Sequence, residues 1–122
     1  MRLIDICSLD DLVENSGVGV LVGDLQVAIF WDKHPESGEL GEIYAIDNYD
    51  PIGGANVLSR GIICSFDDRL TVSSPLYKQH FCLSSGQCLQ HPEIFVAVYK
   101  TELRGDRVFI SEKAVDLESI AA

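Results

Sequence analysis

The chain has 122 residues, of which 19 are acidic and nine are basic, and its formal net charge is −10. Such a surface repels phosphate backbones and argues against nucleic acid as a partner. A basic patch on another protein would complement it, although the same acidity can serve solubility alone. Because 47% of the residues are hydrophobic, we expect one globular domain over residues 1–122, with a core of about residues 3–110 and a short tail over 111–122.

We expect no export signal at the beginning of the chain. Asp5, Asp10 and Asp11 interrupt its apolar residues, whereas a secretory signal peptide needs a continuous apolar segment. No apolar run approaches the roughly 20 residues that span a bilayer. We therefore expect a soluble cytoplasmic protein with no membrane partner, whose four cysteines are reduced.

Short apolar runs separated by turn residues predict an all-β domain. Ser8 is expected to cap a single helical turn, because Asp10 and Asp11 would lie near its positive end. Gly23 and Asp24 predict a two-residue hairpin turn. In the first half of the chain we predict strands over residues 3–7, 18–22, 25–31 and 42–47, and a loop over 34–39.

The second half of the chain shows the same pattern. A pair of strands is expected around Asp67 and Asp68, a second pair around the turn at 84–86, and a closing hairpin around 104–106. The strands are predicted over residues 62–64, 70–73, 81–83, 87–89, 95–100 and 107–110. Many short strands at regular spacing indicate a small sandwich or barrel.

Two segments between these strands have the form of cluster-binding loops. The first is residues 47–61 (DNYDPIGGANVLSRG), and the second is residues 74–81 (SPLYKQHF), closed by 83–86 (LSSG). In a Rieske domain, such loops supply Cys-x-His and Cys-x-x-His, because one iron takes two thiolates and the other takes two imidazoles. The four corresponding positions here are Asp50, Ile52, Ser74 and Tyr77.

Read in this order, the loops resemble those of the Rieske-like fold. More closely, the chain resembles the small subunits of cytoplasmic NADH-dependent nitrite reductases of bacteria and fungi. The most specific part is residues 44–89, with the strings LSRG at 58–61 and PLYKQHF at 75–81. The resemblance implies a small Rieske-like sandwich or barrel with two projecting loops and no bound ligand.

The resemblance also implies a function within nitrate assimilation and nitrogen metabolism. The chain would be a non-catalytic small subunit in the assimilatory reduction of nitrite to ammonia by NADH. The large subunit would carry FAD, sirohaem and a [4Fe–4S] cluster, so this chain would be part of an oxidoreductase without catalytic residues or a cofactor of its own. Two alternatives are a stand-alone, cofactor-free interaction module of another redox complex and a Rieske ferredoxin that carries electrons.

The residues at the ligand positions argue against a cluster on this chain. Iron–sulfur clusters need soft thiolates, whereas Asp50 and Ser74 offer hard oxygens, Ile52 offers no donor, and Tyr77 would be a lone ligand. A family profile can still match as [2Fe–2S], because fold signatures outlast their ligands. We expect Tyr77 to fill the space between the loops, with its hydroxyl bonded to Asp50 or to loop backbone. The alternative is that both residues are exposed at loop tips.

Positively charged side chains gather at the two loops of this acidic chain. We expect this end of the domain to form the interface with the large subunit, through Tyr49, Asn56, Arg60, Lys78 and His80. Arginine is favoured at interfaces because its planar guanidinium presents several donors at once. Alternatively, Arg60 pairs with Asp47 or Asp50 and braces the first loop.

Cysteine and histidine residues near the second loop raise three further possibilities. His80, Cys82, Cys88 and His91 have the residue types of a zinc site, but their spacing is not a standard one, and ordinary sheet residues are the simpler interpretation. Cys82 and Cys88 could face each other in a disulfide, although a cytoplasmic setting favours free thiols. No glycine elbow accompanies a cysteine–histidine pair, which argues against a hydrolase.

Overall fold

The computed structural model describes residues 2–33 and 41–116, and this part of the chain folds into short strands and two 3₁₀ turns. The turns are Leu9–Asp11 and Leu58–Arg60, and no helix in the described part is long and apolar enough to cross a membrane. The strands are β1 (Leu3–Ser8), β2 (Gly17–Val22), β3 (Leu25–Asp32), β4 (Glu42–Asp47), β5 (Tyr49–Asp50), β6 (Ala55–Asn56), β7 (Ile62–Phe66), β8 (Arg69–Ser73), β9 (His80–Cys82), β10 (Val98–Tyr99), β11 (Thr101–Arg104) and β12 (Arg107–Ser111). The all-β prediction is confirmed.

The strands form four antiparallel sheets. A three-stranded sheet has the order β1-β12-β11, and the central four-stranded sheet has the order β10-β4-β3-β2. The small hairpin β5-β6 and the three-stranded sheet β7-β8-β9 follow one another between residues 49 and 82 and carry the two loops. The predicted loop at 34–39 lies outside the described residues.

Strand β3 lies between β4 and β2 in the central sheet, and both of its faces are buried from residue 27 to residue 32. Successive side chains of a strand point to opposite faces. Val27, Ile29 and Trp31 accordingly enter one hydrophobic cluster, together with residues of β1 and β12, while Ala28 and Phe30 enter a second. This second cluster also contains side chains of the loop-bearing region, namely Leu58, Val72, Phe81 and Leu83. The central sheet is therefore the rigid support for both loops.

Local turn chemistry follows the sequence closely. The Ser8 side chain accepts a hydrogen bond from the amide of Asp10, and the Asp11 carboxylate accepts one from the amide of Ser8, which confirms the predicted cap. Gly23 has a φ of +62° in the predicted hairpin. Asp67 and Asp68 have φ values of +51° and +61°, as hairpin turns with a right-handed twist require.

The prediction for the last hairpin is wrong. The partner of β12 is β11, not residues 95–100, and β10 pairs with β4 instead. The reason is tertiary packing. Both residues of β10 are buried against the central sheet, where they pair with β4, whereas Thr101 already pairs with β12, so the chain passes from one sheet to the other at Lys100. The predicted strand over 87–89 is also wrong, because Gln87 and Cys88 form isolated bridges, opposite Phe95 and Phe81, rather than a strand.

Candidate functional site

The first loop is built around the buried carboxylate of Asp50. Its Oδ1 atom accepts hydrogen bonds from the amides of Ile52 at 2.8 Å and Gly53 at 3.0 Å. The Asp50 carbonyl accepts another from the amide of Gly54, whose φ is +77°. Aspartate favours such turns because its side chain bonds to backbone amides two or three residues ahead. The loop thus closes on itself without a metal.

Asn48 fixes the base of the first loop. Its Oδ1 atom accepts a hydrogen bond from the amide of Ser59 at 2.7 Å, and its Nδ2 atom donates to the carbonyl of Asn56 at 3.3 Å. Leu58, between these two partners, is fully buried in the core. Asn48 was not singled out from the sequence, and the only signal for it was its position directly after a strand.

The second loop is a tight turn that begins at Ser74. The amide of Ser74 donates to the carbonyl of Gln79 at 2.8 Å, and the amide of Lys78 donates to the carbonyl of Ser74 at 3.0 Å. Lys78 has a φ of +64°, which costs a residue with a side chain about 1–2 kcal/mol. The turn therefore holds Lys78 at the exposed end of the loop in a defined conformation.

A single side-chain hydrogen bond joins the two loops. The Ser74 hydroxyl donates to Asp50 Oδ2 at 2.5 Å, and both residues have no exposed surface. The carboxylate therefore has three donors, which compensate for the cost of burying it. Asp50 and Ser74 stand where the Rieske pattern has its two thiolates, and here they bond directly to each other.

The prediction that Tyr77 clamps the loops is wrong. Tyr77 is 65% exposed, while Leu76 packs so closely against Gly53 that a Cβ atom at Gly53 would collide with it. The space between the loops is thus closed by the Ser74–Asp50 bond and the Leu76 side chain. The alternative that both residues lie at loop tips holds for Tyr77 but not for Asp50.

These four positions do not fit a [2Fe–2S] cluster. Asp50 and Ser74 are occupied by their mutual hydrogen bond, Ile52 has no donor atom and is half-buried against the core, and Tyr77 points to solvent. In the part of the chain that the structure describes, no three His, Cys, Asp or Glu side chains converge on a common metal position.

The predicted interface residues lie in three different settings. Tyr49 and Asn56 are cross-strand neighbours in the β5-β6 hairpin. Arg60 and Lys78 are exposed on the two loops, and His80 is half-buried in β9 rather than in a loop. The structure adds Leu76 and Tyr77 to this end of the domain, with 43% and 65% of their surface exposed. The sequence signal for them was Pro75, because a proline favours a turn and loop residues usually lie at the surface.

The brace between Arg60 and the first loop does not form. Within residues 2–33 and 41–116, the guanidinium of Arg60 has no ion pair. Asp50 is bonded to Ser74, and Asp47 accepts a hydrogen bond from the hydroxyl of Tyr99 at 2.7 Å. Burial of the phenol and this contact raise the pKa of Tyr99 well above its usual range. Arg60 is therefore available for a contact outside this domain.

The four residues of the hypothetical zinc site do not come together. Cys88 lies in the core, Cys82 is 5% exposed beside Ser84, and the side chain of His91 is 47% exposed beside Glu93. His80 instead contacts Thr71 and Cys64. All four cysteines are free thiols in the structure, so the Cys82–Cys88 disulfide is not formed.

Comparison with known proteins places this geometry in a family. A family model described as Rieske-like [2Fe-2S] domain matches residues 2–111. The chain is 41% identical over 100 residues to the nitrite reductase (NADH) small subunit of Escherichia coli strain K12, which covers 82% of this chain and 88% of that protein. The solution NMR structure of the nitrite reductase [NAD(P)H] small subunit from Erwinia carotovora superposes with a TM-score of 0.72 and 42% identity, over 93% of this chain and 84% of that one.

A large subunit also contains a similar segment. The nitrite reductase [NAD(P)H] large subunit of Klebsiella oxytoca is 32% identical over 108 residues, which cover 88% of this chain but 11% of that protein. The small-subunit relatives match over most of their own length, and the family model spans almost all of the described fold. The chain therefore belongs to the Rieske-like [2Fe-2S] domain family and, within it, to the nitrite reductase (NADH) small subunits.

Proposed function

We propose that this chain is the non-catalytic small subunit of an NADH-dependent nitrite reductase and supports a cofactor-bearing large subunit. The observation that carries the proposal is the Ser74–Asp50 hydrogen bond, which joins the two loops at the ligand positions of a chain from this family. Electron transfer through a cluster needs thiolate and imidazole ligands, and the four ligand positions of these loops offer neither. The redox chemistry, with FAD, sirohaem and [4Fe–4S] as its cofactors, is assigned to the large subunit.

The Klebsiella oxytoca relative supports the pairing with a large subunit. Its large-subunit polypeptide contains a segment similar to this chain. Joining two modules in one polypeptide raises their effective concentration and favours contact between them. For a separate chain, the same contact must come from the affinity of an exposed surface. Free thiols fit the cytoplasmic location that we assign to the complex.

We assign the docking surface to the loop end, which consists of Tyr49, Asn56, Arg60, Leu76, Tyr77, Lys78 and His80. Tyrosine and arginine are the residue types that carry most binding energy at interfaces. The backbone of both loops is held by hydrogen bonds to Asp50, Asn48 and Ser74. A pre-organised surface binds with a smaller loss of conformational entropy, so the loops can orient the large subunit without a metal.

Reconstitution tests this function. The purified large subunit is assayed for nitrite-dependent NADH oxidation and for ammonia, with and without the full chain. We expect this chain to raise turnover or to stabilise the active large subunit over time, and to have no activity alone. Equal activity and equal lifetime of the large subunit in both cases would contradict the proposal.

A further inference from the structure

We propose that Cys64 is a reactive thiol, supported by His80 and open to modification by small oxidising electrophiles such as peroxide. The pair lies on the sheet β7-β8-β9 and is separate from the Ser74–Asp50 contact. The inference concerns a chemical property of this chain alone. His80 also belongs to the docking surface proposed above, so the test uses the free chain, and its result does not depend on the proposed function.

The sheet places the pair on its outer face. Ile63, Val72 and Phe81 are in register across the three strands and point into the core. Because neighbouring residues alternate between faces, Cys64 and His80 lie on the opposite face. Cys64 is half-buried there, and Ile62 on the same face is 70% exposed. A small reagent can therefore reach this side of the sheet.

Counting protons assigns the donor in the pair. The Thr71 hydroxyl has one proton, and it is donated to the Cys64 carbonyl at 3.0 Å. The 3.0 Å contact between Thr71 Oγ1 and His80 Nδ1 must then use a proton on the imidazole nitrogen. The same N–H lies 3.4 Å from Cys64 Sγ. When Cys64 has lost its proton, this N–H is a ring donor within reach of the sulfur.

The imidazole is held in this orientation from its other side. The Phe66 ring stacks on His80, with ring centroids 4.5 Å apart and an angle of 25° between the planes. The backbone amide of His80 donates to Gln90 Oε1 at 2.7 Å, which fixes the main chain at this residue. His80 is a positioning residue because the Phe66 ring and the Thr71 contact limit rotation of its imidazole and keep Nδ1 directed at Thr71 and Cys64.

The reaction balances with peroxide as the oxidant. The Cys64 thiolate attacks one oxygen of hydrogen peroxide, so that an S–O bond forms and the O–O bond breaks. The sulfur loses two electrons and becomes a sulfenic acid, and the departing hydroxide takes a proton from solvent to give water. The thiolate is the nucleophile in such reactions, which is why the His80 contact affects the rate.

The other three cysteines provide internal controls. Cys88 has no exposed surface, and Cys7 is 9% exposed. Cys82 is the closest competitor, because the net effect on its pKa is a decrease. Burial raises the pKa of this thiol, but hydrogen bonds with Ser84 and Ser85 lower it by more. Cys82 is only 5% exposed. The proposal therefore predicts that access combined with the His80 contact makes Cys64, not Cys82, the first thiol to react.

The test uses limiting iodoacetamide, an uncharged thiol reagent, on the full native chain at about pH 7, followed by peptide mass spectrometry. We expect Cys64 to be labelled first, and His80→Leu to lower its rate about fivefold or more relative to Cys7 in the same molecule. Hydrogen peroxide followed by a 1,3-dione trap is expected to mark Cys64, and Cys64→Ser removes that adduct. Labelling of Cys82 or Cys7 as fast as Cys64 would overturn the proposal.

Two further measurements separate support by His80 from a loss of folding. If His80→Leu exposes Cys7 and Cys88, His80→Gln takes its place, because its amide keeps an N–H donor near Thr71 and Cys64. In folded protein, His80→Gln is expected to retain more of the parent Cys64 rate than His80→Leu does. A Cys64 rate equal to that of the parent in both folded variants would refute the role of His80.

Discussion

The Ser74–Asp50 contact shows how two residues can stand in for a metal centre. A cluster would hold the loops by four covalent bonds to iron, whereas here one buried carboxylate accepts hydrogen bonds from both loops. The sequence showed that thiolates were missing, but it did not show that their replacements face each other. Residue type alone suggested Tyr77 as the clamp, because a buried tyrosine hydroxyl usually finds a partner, and its exposure could not be deduced without the loop backbone.

Ser74→Ala is predicted to destabilise the fold by about 1.5–3 kcal/mol, because it removes a donor from a buried carboxylate. Chemical denaturation, with the far-UV signal as the readout, measures this change. Ser73→Ala is the matched control, since the Ser73 hydroxyl makes only a 3.5 Å contact with the Lys78 carbonyl. A loss for Ser74→Ala no larger than that of the control would show that the bond does not hold the loops.

The Tyr99–Asp47 contact predicts a loss of stability at alkaline pH. Burial, and then the nearby Asp47 carboxylate, raise the pKa of Tyr99 in the folded state, while the unfolded phenol titrates at about 10. The stabilising contribution is therefore complete below about pH 10 and falls as the pH rises toward the folded-state pKa. Burial also raises the pKa of Tyr44, so this residue acts in the same direction.

Denaturation midpoints measured on both sides of that pH test this prediction. Tyr99→Phe is expected to be less stable at neutral pH, because Asp47 loses its donor, and to show a shallower decline at alkaline pH. The same slope in Tyr99→Phe as in the parent would assign the alkaline loss to other groups.

At the level of elements, the sequence predicted the hairpins that local chemistry dictates. Gly23 with Asp24, and Asp67 with Asp68, are turn residues between alternating strands, and both hairpins are present. The prediction of a single strand over the apolar run at residues 95–100 was wrong. Side chains of this run pack into both hydrophobic clusters, and β10 ends before Lys100. Tertiary packing, which the sequence pattern does not contain, therefore separates β10 from β11.

The close contact between Gly53 and Leu76 is the element-level counterpart of the Ser74–Asp50 bond. Gly53→Ala is predicted to destabilise the protein by about 1–3 kcal/mol, because the new methyl group collides with Leu76 and crowds Asp50. Leu76→Ala alone is expected to have a small effect, because Leu76 is 43% exposed.

A double-mutant cycle by denaturation separates the collision from other effects of alanine. In the Leu76→Ala background, Gly53→Ala is expected to cost less than in the parent, because most of the colliding side chain is gone. Additive losses would mean that the two loops are not in contact at these residues.

At the level of the whole molecule, the central sheet separates two hydrophobic clusters that pack against different parts of the fold. One cluster packs β1 and β12 against β3, while the other supports the loops through Leu58, Val72 and Phe81. In this strongly negative chain, the two loops carry the exposed basic side chains of Arg60 and Lys78, and the second loop also exposes Leu76 and Tyr77. A surface with this composition on a rigid base is suited to binding a partner protein.

The central claim is that this loop end binds the large subunit, and the affinity of the two subunits tests it most directly. The dissociation constant is measured by calorimetry for the parent, for Arg60→Glu with Lys78→Glu, and for the control Arg2→Glu with Arg104→Glu. The control makes the same charge change at exposed residues in and beside the sheet β1-β12-β11. We predict that the loop variant binds at least about tenfold more weakly, or about 1.4 kcal/mol, while the control binds like the parent. A folded loop variant that binds as tightly as the parent would contradict the account.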